Sequence, residues 1–285
     1  SKDKDFLCES SSLSALTPAE DAFWRGVKSG KIDVDFATSA IPDKTCELLK
    51  KGGFKVIPIG IEFGTIQTIY SNFGDNDLKL EITTYRCKES YKKGSRKPAV
   101  TFGKTLEEDL GRRDFAINAI AMDKEFNKID PFDGHADLIQ GLIATPLDPL
   151  VSFEDDPLRM LRACRFVARG LGQLEYQTAE TMEYLAEKVK EVSSERVFEE
   201  MSKILMSSYP AKGLTMMAKT GLLRELFPEL QTVVDFKQNQ GKWHSKLVWD
   251  HTLQVVENTP PKLELRWAAL FHDVAKPQTY TEVDD

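Results

Sequence analysis

The sequence predicts an α+β protein, a small mixed β-sheet domain followed by an all-helical one, on three observations. Glycine-punctuated β-prone runs crowd its early part, helical periods replace them after about residue 105, and 285 residues are enough for two domains with separate cores. The strand-like runs are Phe54–Ile59, Thr65–Tyr70 and Leu78–Tyr85, separated by Gly52-Gly53, Gly64 and Asn72–Asn76. The last two read as a hairpin. Ahead of them, Pro42–Lys51 has helical composition, with Asp43 near its start and Gly52-Gly53 after its end. Thr105-Leu106-Glu107-Glu108 is a capping-box pattern. Helical periods follow through Asp156–Arg169, Thr178–Val192, Ser194–Ser207, Ala211–Leu226 and Trp249–Glu257.

Composition narrows the class. With 41% hydrophobic residues the chain can bury a core, which argues against disorder. No run approaches the roughly 18 apolar residues of a membrane span, and Ser1-Lys2-Asp3-Lys4-Asp5 is not a secretion signal. A reducing, cytoplasmic interior is therefore expected. Cys8, Cys46, Cys87 and Cys164 have no C-x-x-C spacing, so neither a zinc knuckle nor a disulfide framework is suggested. The net charge of −7 argues on its face against a nucleic-acid partner. Its distribution argues the other way: Arg86–Arg113 carries nine Lys or Arg against four Asp or Glu. A local basic surface suffices for an electrostatic grip on RNA.

Candidate chemistry begins at Asp33-Val34-Asp35. Alternate residues of a strand share a face, so both carboxylates would project opposite Ile32, Val34 and Phe36. Two aligned carboxylates suit hard Mg²⁺ in phosphoryl or nucleotidyl transfer, although an exposed D-x-D at a strand edge would look the same. Glu81, a lone acid in the β-prone Leu80–Arg86, is either solvent-facing or a third carboxylate of that site. Arg86 could neutralise phosphate charge. Asp114 and Asn118, four residues apart after Arg112-Arg113, would share one face of a helical turn and could hydrogen-bond a ribose. Pro157 suits a first helical turn. At about 100° per residue, Arg159, Arg162, Arg165 and Arg169 fall within roughly 120° of arc as a basic stripe.

In order along the chain, Asp33-x-Asp35-Phe-Ala-Thr-Ser-Ala, Phe63-Gly64-Thr65, Glu81-Ile-Thr-Thr-Tyr-Arg86, Glu108-Asp109-Leu-Gly-Arg112-Arg113-Asp114-Phe-Ala-Ile-Asn118, Asp130-Pro-Phe-Asp133-Gly134 and Asp155-Asp156-Pro-Leu-Arg159-Met-Leu-Arg162 resemble the successive motifs of class II tRNA nucleotidyltransferases. These are the CCA-adding enzymes, which share their family with bacterial poly(A) polymerases. The resemblance runs from about Lys31 to Arg169 and is weaker beyond.

The resemblance implies a nucleotidyltransferase head at residues 1–125, a helical neck at 126–207, and a body with the start of an HD-type domain at 208–285. It implies Mg²⁺ at Asp33 and Asp35, with Glu81 as third catalytic carboxylate, CTP and ATP as substrates, and a tRNA 3′ end as acceptor. It assigns Asp114 and Asn118 to the sugar and Arg113 to phosphate or base. Asp156 and Arg159 would read the base, with Arg162 and Arg165 in support. Cytosine and adenine each offer an exocyclic amine beside a ring acceptor, whereas uracil and guanine would leave the carboxylate unpaired. Asp155 stands where the family usually has Glu.

The basic window fits the family's mobile loop, with Tyr91, Gly94, Arg96, Pro98, Val100 and Phe102 in its places, and that loop favours full CCA addition. Trp249-Asp250-His251-Thr252 and Phe271-His272-Asp273-Val274-Ala275-Lys276 resemble the opening of an HD phosphohydrolase-type domain, which makes His251, His272 and Asp273 a possible second metal site. One departure concerns the family's Gly-Gly-x-x-Arg-Asp segment ahead of the acidic pair. Here Phe23–Gly30 stands in its place, with Arg25-Gly26 like its tail. The expectation is that residues are missing between about Phe23 and Arg25, and that the 285 residues belong to a longer enzyme. An A-adding enzyme, a poly(A) polymerase, an HD-type phosphohydrolase and an inactive RNA-binding module are the competing readings.

Overall fold

The computed structural model describes residues 35–57, 60–70, 78–91, 98–236 and 248–279. Four strands, β1 (Asp35–Thr38), β2 (Lys55–Ile57), β3 (Thr65–Tyr70) and β4 (Leu78–Thr84), form a sheet in the order β1-β4-β3-β2. β1 runs parallel to β4 and the other pairs are antiparallel, so the sheet is mixed as expected and β3–β4 is the expected antiparallel pair. Helix α1 (Pro42–Lys51) starts with Pro at its first turn, has Asp43 there, and places Lys50 and Lys51 in its last turn, in keeping with the helix dipole. Register decides which face it covers. Phe36, Ile82 and Ile66 align across β1, β4 and β3 and pack with Leu49 of α1, Cys46, Val56 and Ile61. The neighbouring residues of each strand face away from this core.

β5 (Arg86–Tyr91) and β6 (Pro98–Phe102) pair as a two-stranded sheet. The basic window expected as a mobile loop is therefore strand at both flanks; residues 92–97 lie outside the described residues. Helix α2 (Leu106–Gly111) has the expected capping box: Thr105 accepts from the Glu108 amide while the Glu108 carboxylate accepts from that of Thr105. β7 (Ala121–Met122) and β8 (Lys128–Ile129) make a small antiparallel pair.

The remainder is helical: α3 (Gly134–Gln140), α4 (Pro149–Asp155), α5 (Leu158–Ala168), α6 (Tyr176–Tyr184), α7 (Ser194–Leu205), α8 (Pro210–Lys219), α9 (Leu222–Leu226), α10 (Pro228–Asp235), α11 (Val248–Asn258), α12 (Leu263–Phe271) and α13 (Lys276–Thr279). The short strands β9 (Leu142–Ile143) and β10 (Gln173–Leu174) pair in parallel among them. α5 is central. Its Met160, Leu161, Ala163, Cys164 and Ala168 are fully buried in one core with Met201 and Ile204 of α7 and Leu214 and Met217 of α8. The helical period read through Ala211–Leu226 is two helices, because Gly221, at φ +76°, breaks it in a conformation that side-chain-bearing residues avoid. The period through Thr178–Val192 ends as a 3₁₀ helix at Ala186–Glu191.

By contacts, the chain divides into two compact units. One holds the described residues up to Glu89, Ala99–Arg112 and Ala121–Ile129; the other holds Ser90, Tyr91, Pro98, Arg113–Ile120 and the described residues from Asp130 onward. No helix among the described residues is long and apolar enough to cross a membrane.

Candidate active site

In the first unit, the outward face of the sheet carries the candidate acids. Asp35 and Glu81 are Cα partners across β1 and β4, and Gln67 is the partner of Glu81 on β3, so the three form a polar row on the face opposite the apolar core. Both acids are exposed. Gln67 Nε2 donates to Glu81 Oε1 at 2.7 Å, which orients that carboxylate while its second oxygen stays available. In the next row, the Thr65 and Thr83 hydroxyls meet at 3.0 Å, and Arg86 Nη2 donates to Thr65 Oγ1 at 3.0 Å. Arg86 thus reaches the outward face two residues along from the acids. Its backbone amide donates to Asp109 Oδ1, an oxygen that also takes Nε and Nη2 of Arg112. Asp33 lies outside the described residues, as does the stretch around Phe23–Gly30. Two neighbouring, exposed carboxylates in register are a hard-oxygen donor set that fits Mg²⁺.

The second unit gathers the nucleotide-reading candidates. Asp114 and Asn118 meet as expected, but not on an α-helix: Arg113 and Asp114 form a bend that runs into a 3₁₀ turn, Ala116–Asn118. Asn118 Nδ2 donates to Asp114 Oδ1 at 3.0 Å, and Arg113 Nη1 donates to the Asn118 carbonyl at 3.0 Å. The Asp130–Gly134 motif supports this turn from below. A Cβ on Gly134 would lie 1.9 Å from the Ala116 carbonyl oxygen, so only glycine lets the two backbones meet. Asp130 fixes Gly134 by accepting its amide at 2.8 Å and that of His135 at 3.0 Å.

Asp156 sits at the junction of α4 and α5. Its Oδ1 accepts from the Leu158 amide at 3.2 Å and its Oδ2 from Arg196 Nη2 of α7 at 2.8 Å. Arg159 points back to α4, where its Nη1 donates to Ser152 Oγ at 2.7 Å. The expected stripe of four arginines is thus largely committed within the protein. Arg162 donates through Nε and Nη2 to Asp114 Oδ2, at 2.8 and 2.5 Å. Arg165 Nε donates to buried Glu200 Oε2 at 2.6 Å, with Lys203 on the other oxygen. Arg169 is exposed. Burial opposes the charge on Arg162, but the adjoining Asp114 more than offsets it and holds the guanidinium above its ordinary pKa. Sequence reasoning missed Arg196, Glu200, Ser152 and Gln67. Arg196, Glu200 and Lys203 recur at steps of four and three on one helix, the spacing by which such a charged face is recognised.

A separate cluster lies on α11 and the end of α12. His272 Nε2 is 3.3 Å from His251 Nε2 and 3.1 Å from Asp273 Oδ2, and one ligand atom from each residue falls within 4.8 Å of the others. The Ala269 carbonyl, 2.7 Å from His272 Nδ1, can only accept, so Nδ1 donates to it and Nε2 is the ring atom that faces His251 and Asp273. Lys276 Nζ is 2.7 Å from Asp273 Oδ2. Burial works to raise the Asp273 pKa, but Lys276 and the two histidines outweigh it and hold the carboxyl below its usual range.

Comparison with known proteins bears on this arrangement. Residues 25–144 match the family model of the poly A polymerase head domain, and residues 173–233 match that of a probable RNA and SrmB-binding site of polymerase A. A CCA-adding enzyme of Geobacillus sp. (strain WCH70) is 37% identical over 210 residues, 72% of this chain and 50% of that one. The chain belongs to the family of CCA-adding enzymes and poly(A) polymerases. A CCA-adding enzyme of Levilactobacillus brevis is 36% identical over 232 residues, 81% of this chain and 56% of the relative. The crystal structure of the Bacillus stearothermophilus CCA-adding enzyme in complex with CTP is similar at a TM-score of 0.57 and 28% identity, covering 90% of this chain and 72% of that one. The chain spans about half the length of the curated relatives it matches.

Proposed function

We propose that this protein is a template-independent nucleotidyltransferase that adds CMP and then AMP to the 3′ end of tRNA, releasing pyrophosphate. The observation that carries the reading is the in-register pair Asp35 and Glu81 on the outward face of a mixed sheet, in a member of this family. Curated relatives named CCA-adding enzymes support it, as do similar structures described as complexes with CTP and with a primer tRNA and an incoming ATP analog. Asp35, with Asp33 and Glu81, would hold Mg²⁺. When bound, the ion supplies charge neutralisation at the triphosphate and a lowered pKa for the attacking hydroxyl. The protein's own contribution is positioning: Gln67 orients Glu81, Thr65 holds Arg86 toward the same face, and Asp156 and Arg159 present an acceptor and donors to the base.

Purified protein incubated with Mg²⁺, labelled CTP or ATP, and tRNAs truncated at successive positions of the acceptor end tests this. Addition of C and then A is expected. Runs of A on any RNA would identify a poly(A) polymerase instead, A on tRNA ending in CC alone an A-adding enzyme, and no incorporation would refute nucleotidyl transfer.

A second reading is favoured by the His251, His272 and Asp273 cluster: a divalent metal site of the HD phosphohydrolase type, held by two imidazoles and a carboxylate. Mn²⁺ or Ni²⁺ binding by calorimetry, lost in His272→Ala, would support it.

A further inference from the structure

We infer that Arg162 is a positioning residue for sugar selection: acting through Asp114, it fixes the side-chain amide of Asn118, and that amide rather than the Asp114 carboxylate meets the ribose of the incoming nucleotide. The inference rests on the nucleotide-binding reading above and departs from the family-based expectation that Asp114 contacts the sugar and Arg162 supports the base reader.

Hydrogen-bond capacity carries the argument. An ionised carboxylate has about four lone-pair sites, and all four on Asp114 are in use. Oδ1 accepts from the Phe115 amide at 2.9 Å and from Asn118 Nδ2 at 3.0 Å, and Oδ2 accepts from both Nε and Nη2 of Arg162. The Asp114 carboxylate is thus fully engaged within the protein. A ribose hydroxyl donating to it would have to displace an existing partner. Asn118 is different. Because Asp114 can only accept, the nitrogen of the amide must face it, which settles which way the amide is turned. Its Oδ1 and second amide hydrogen then remain for a ligand. A 2′-hydroxyl is both donor and acceptor, and it matches an acceptor and a donor side by side; a deoxyribose leaves both unpaired.

Arg162 supplies what keeps this amide in place. It rises from α5 with its side chain about one-third exposed (34%), and its fork closes on Asp114. Arg113 holds the backbone of the same residue through the Asn118 carbonyl. The connection joins the base-reading helix to the sugar-reading turn, yet its effect should appear in the sugar alone, because Asp156 is oriented by Arg196 and not by Arg162.

The test compares wild type, R162Q, N118A and the double variant, measuring kcat/KM for CTP, dCTP and UTP on a tRNA acceptor and the Kd of CTP and dCTP. The expected result for R162Q is a fall of about tenfold or more in the CTP to dCTP preference, with the CTP to UTP preference held within about twofold. N118A should lose the same sugar preference, and the double variant should lose no more than the worse single one, because the two act in series. A loss of CTP to UTP preference with intact sugar preference in R162Q would overturn the inference and return Arg162 to base reading. Additive losses in the double variant would also overturn it. R162K, which keeps the charge but not the fork, gives the same readings if R162Q does not fold. A wild type that neither binds nor incorporates CTP would refute the underlying functional reading, a result distinct from either of these.

Discussion

Single side chains in this protein do their work in pairs, each held by a partner from elsewhere in the chain. Asp156 is the clearest case, since Arg196 reaches it from a helix forty positions further along. Arg196→Ala should free the Asp156 carboxylate to rotate and lower the preference for CTP over UTP about tenfold, read from single-nucleotide incorporation; an unchanged preference would remove Arg196 from this role. Glu175 makes a separate, purely structural prediction. It caps α6 by accepting the amides of Gln177 and Thr178 at 2.9 and 2.8 Å. Burial works to raise its pKa, but these bonds outweigh burial and hold the carboxyl below its ordinary value. A folded pKa below the unfolded one stabilises the protein above the unfolded value, and the gain disappears as pH falls through the folded value. Melting curves of wild type and Glu175→Gln should therefore differ by about 1 kcal/mol at neutral pH, and the gap should close below about pH 4.

At the scale of elements, the sheet was readable because its pattern is local. The β-prone runs, the helix between Pro42 and Lys51 and the capping box at Thr105 each state their structure within a few residues. The turn carrying Asp114 and Asn118 was not readable in the same way. A four-residue spacing fits an α-helix, whereas the 3₁₀ turn that forms packs its Ala116 carbonyl against Gly134, a long-range contact that the spacing does not announce. That contact also makes a prediction. Gly134→Ala would force a methyl group into the Ala116 carbonyl, so it should cost about 2–3 kcal/mol in urea denaturation. It should also weaken the preference for CTP over dCTP, and a neutral substitution would show that the turn does not depend on this packing. The arginine stripe was visible as a period, but its meaning was not. Nothing local announces that Arg162 and Arg165 are matched by Asp114 and Glu200, which lie 48 and 35 residues away.

For the molecule as a whole, the net charge of −7 misleads because acids do several distinct jobs. Asp35 and Glu81 line the outward sheet face, Asp114 and Glu200 neutralise arginines inside the helical unit, and Asp273 joins His251 and His272. If that last cluster holds a metal, Asp273→Asn should abolish Mn²⁺ binding in calorimetry while leaving CMP addition intact; undiminished binding would place the metal elsewhere. The order of motifs along the sequence carried the family resemblance, but not how each candidate side chain is held, which depends on contacts between distant segments. The central claim is that the Asp35 and Glu81 row is the catalytic centre of nucleotidyl transfer. The most direct test is single CMP addition to a tRNA lacking its CCA end, with Mg²⁺, by wild type and Asp35→Ala. The account predicts a loss of at least about 10³-fold in rate, with tRNA affinity within about twofold of wild type. Incorporation by Asp35→Ala at the wild-type rate would contradict it.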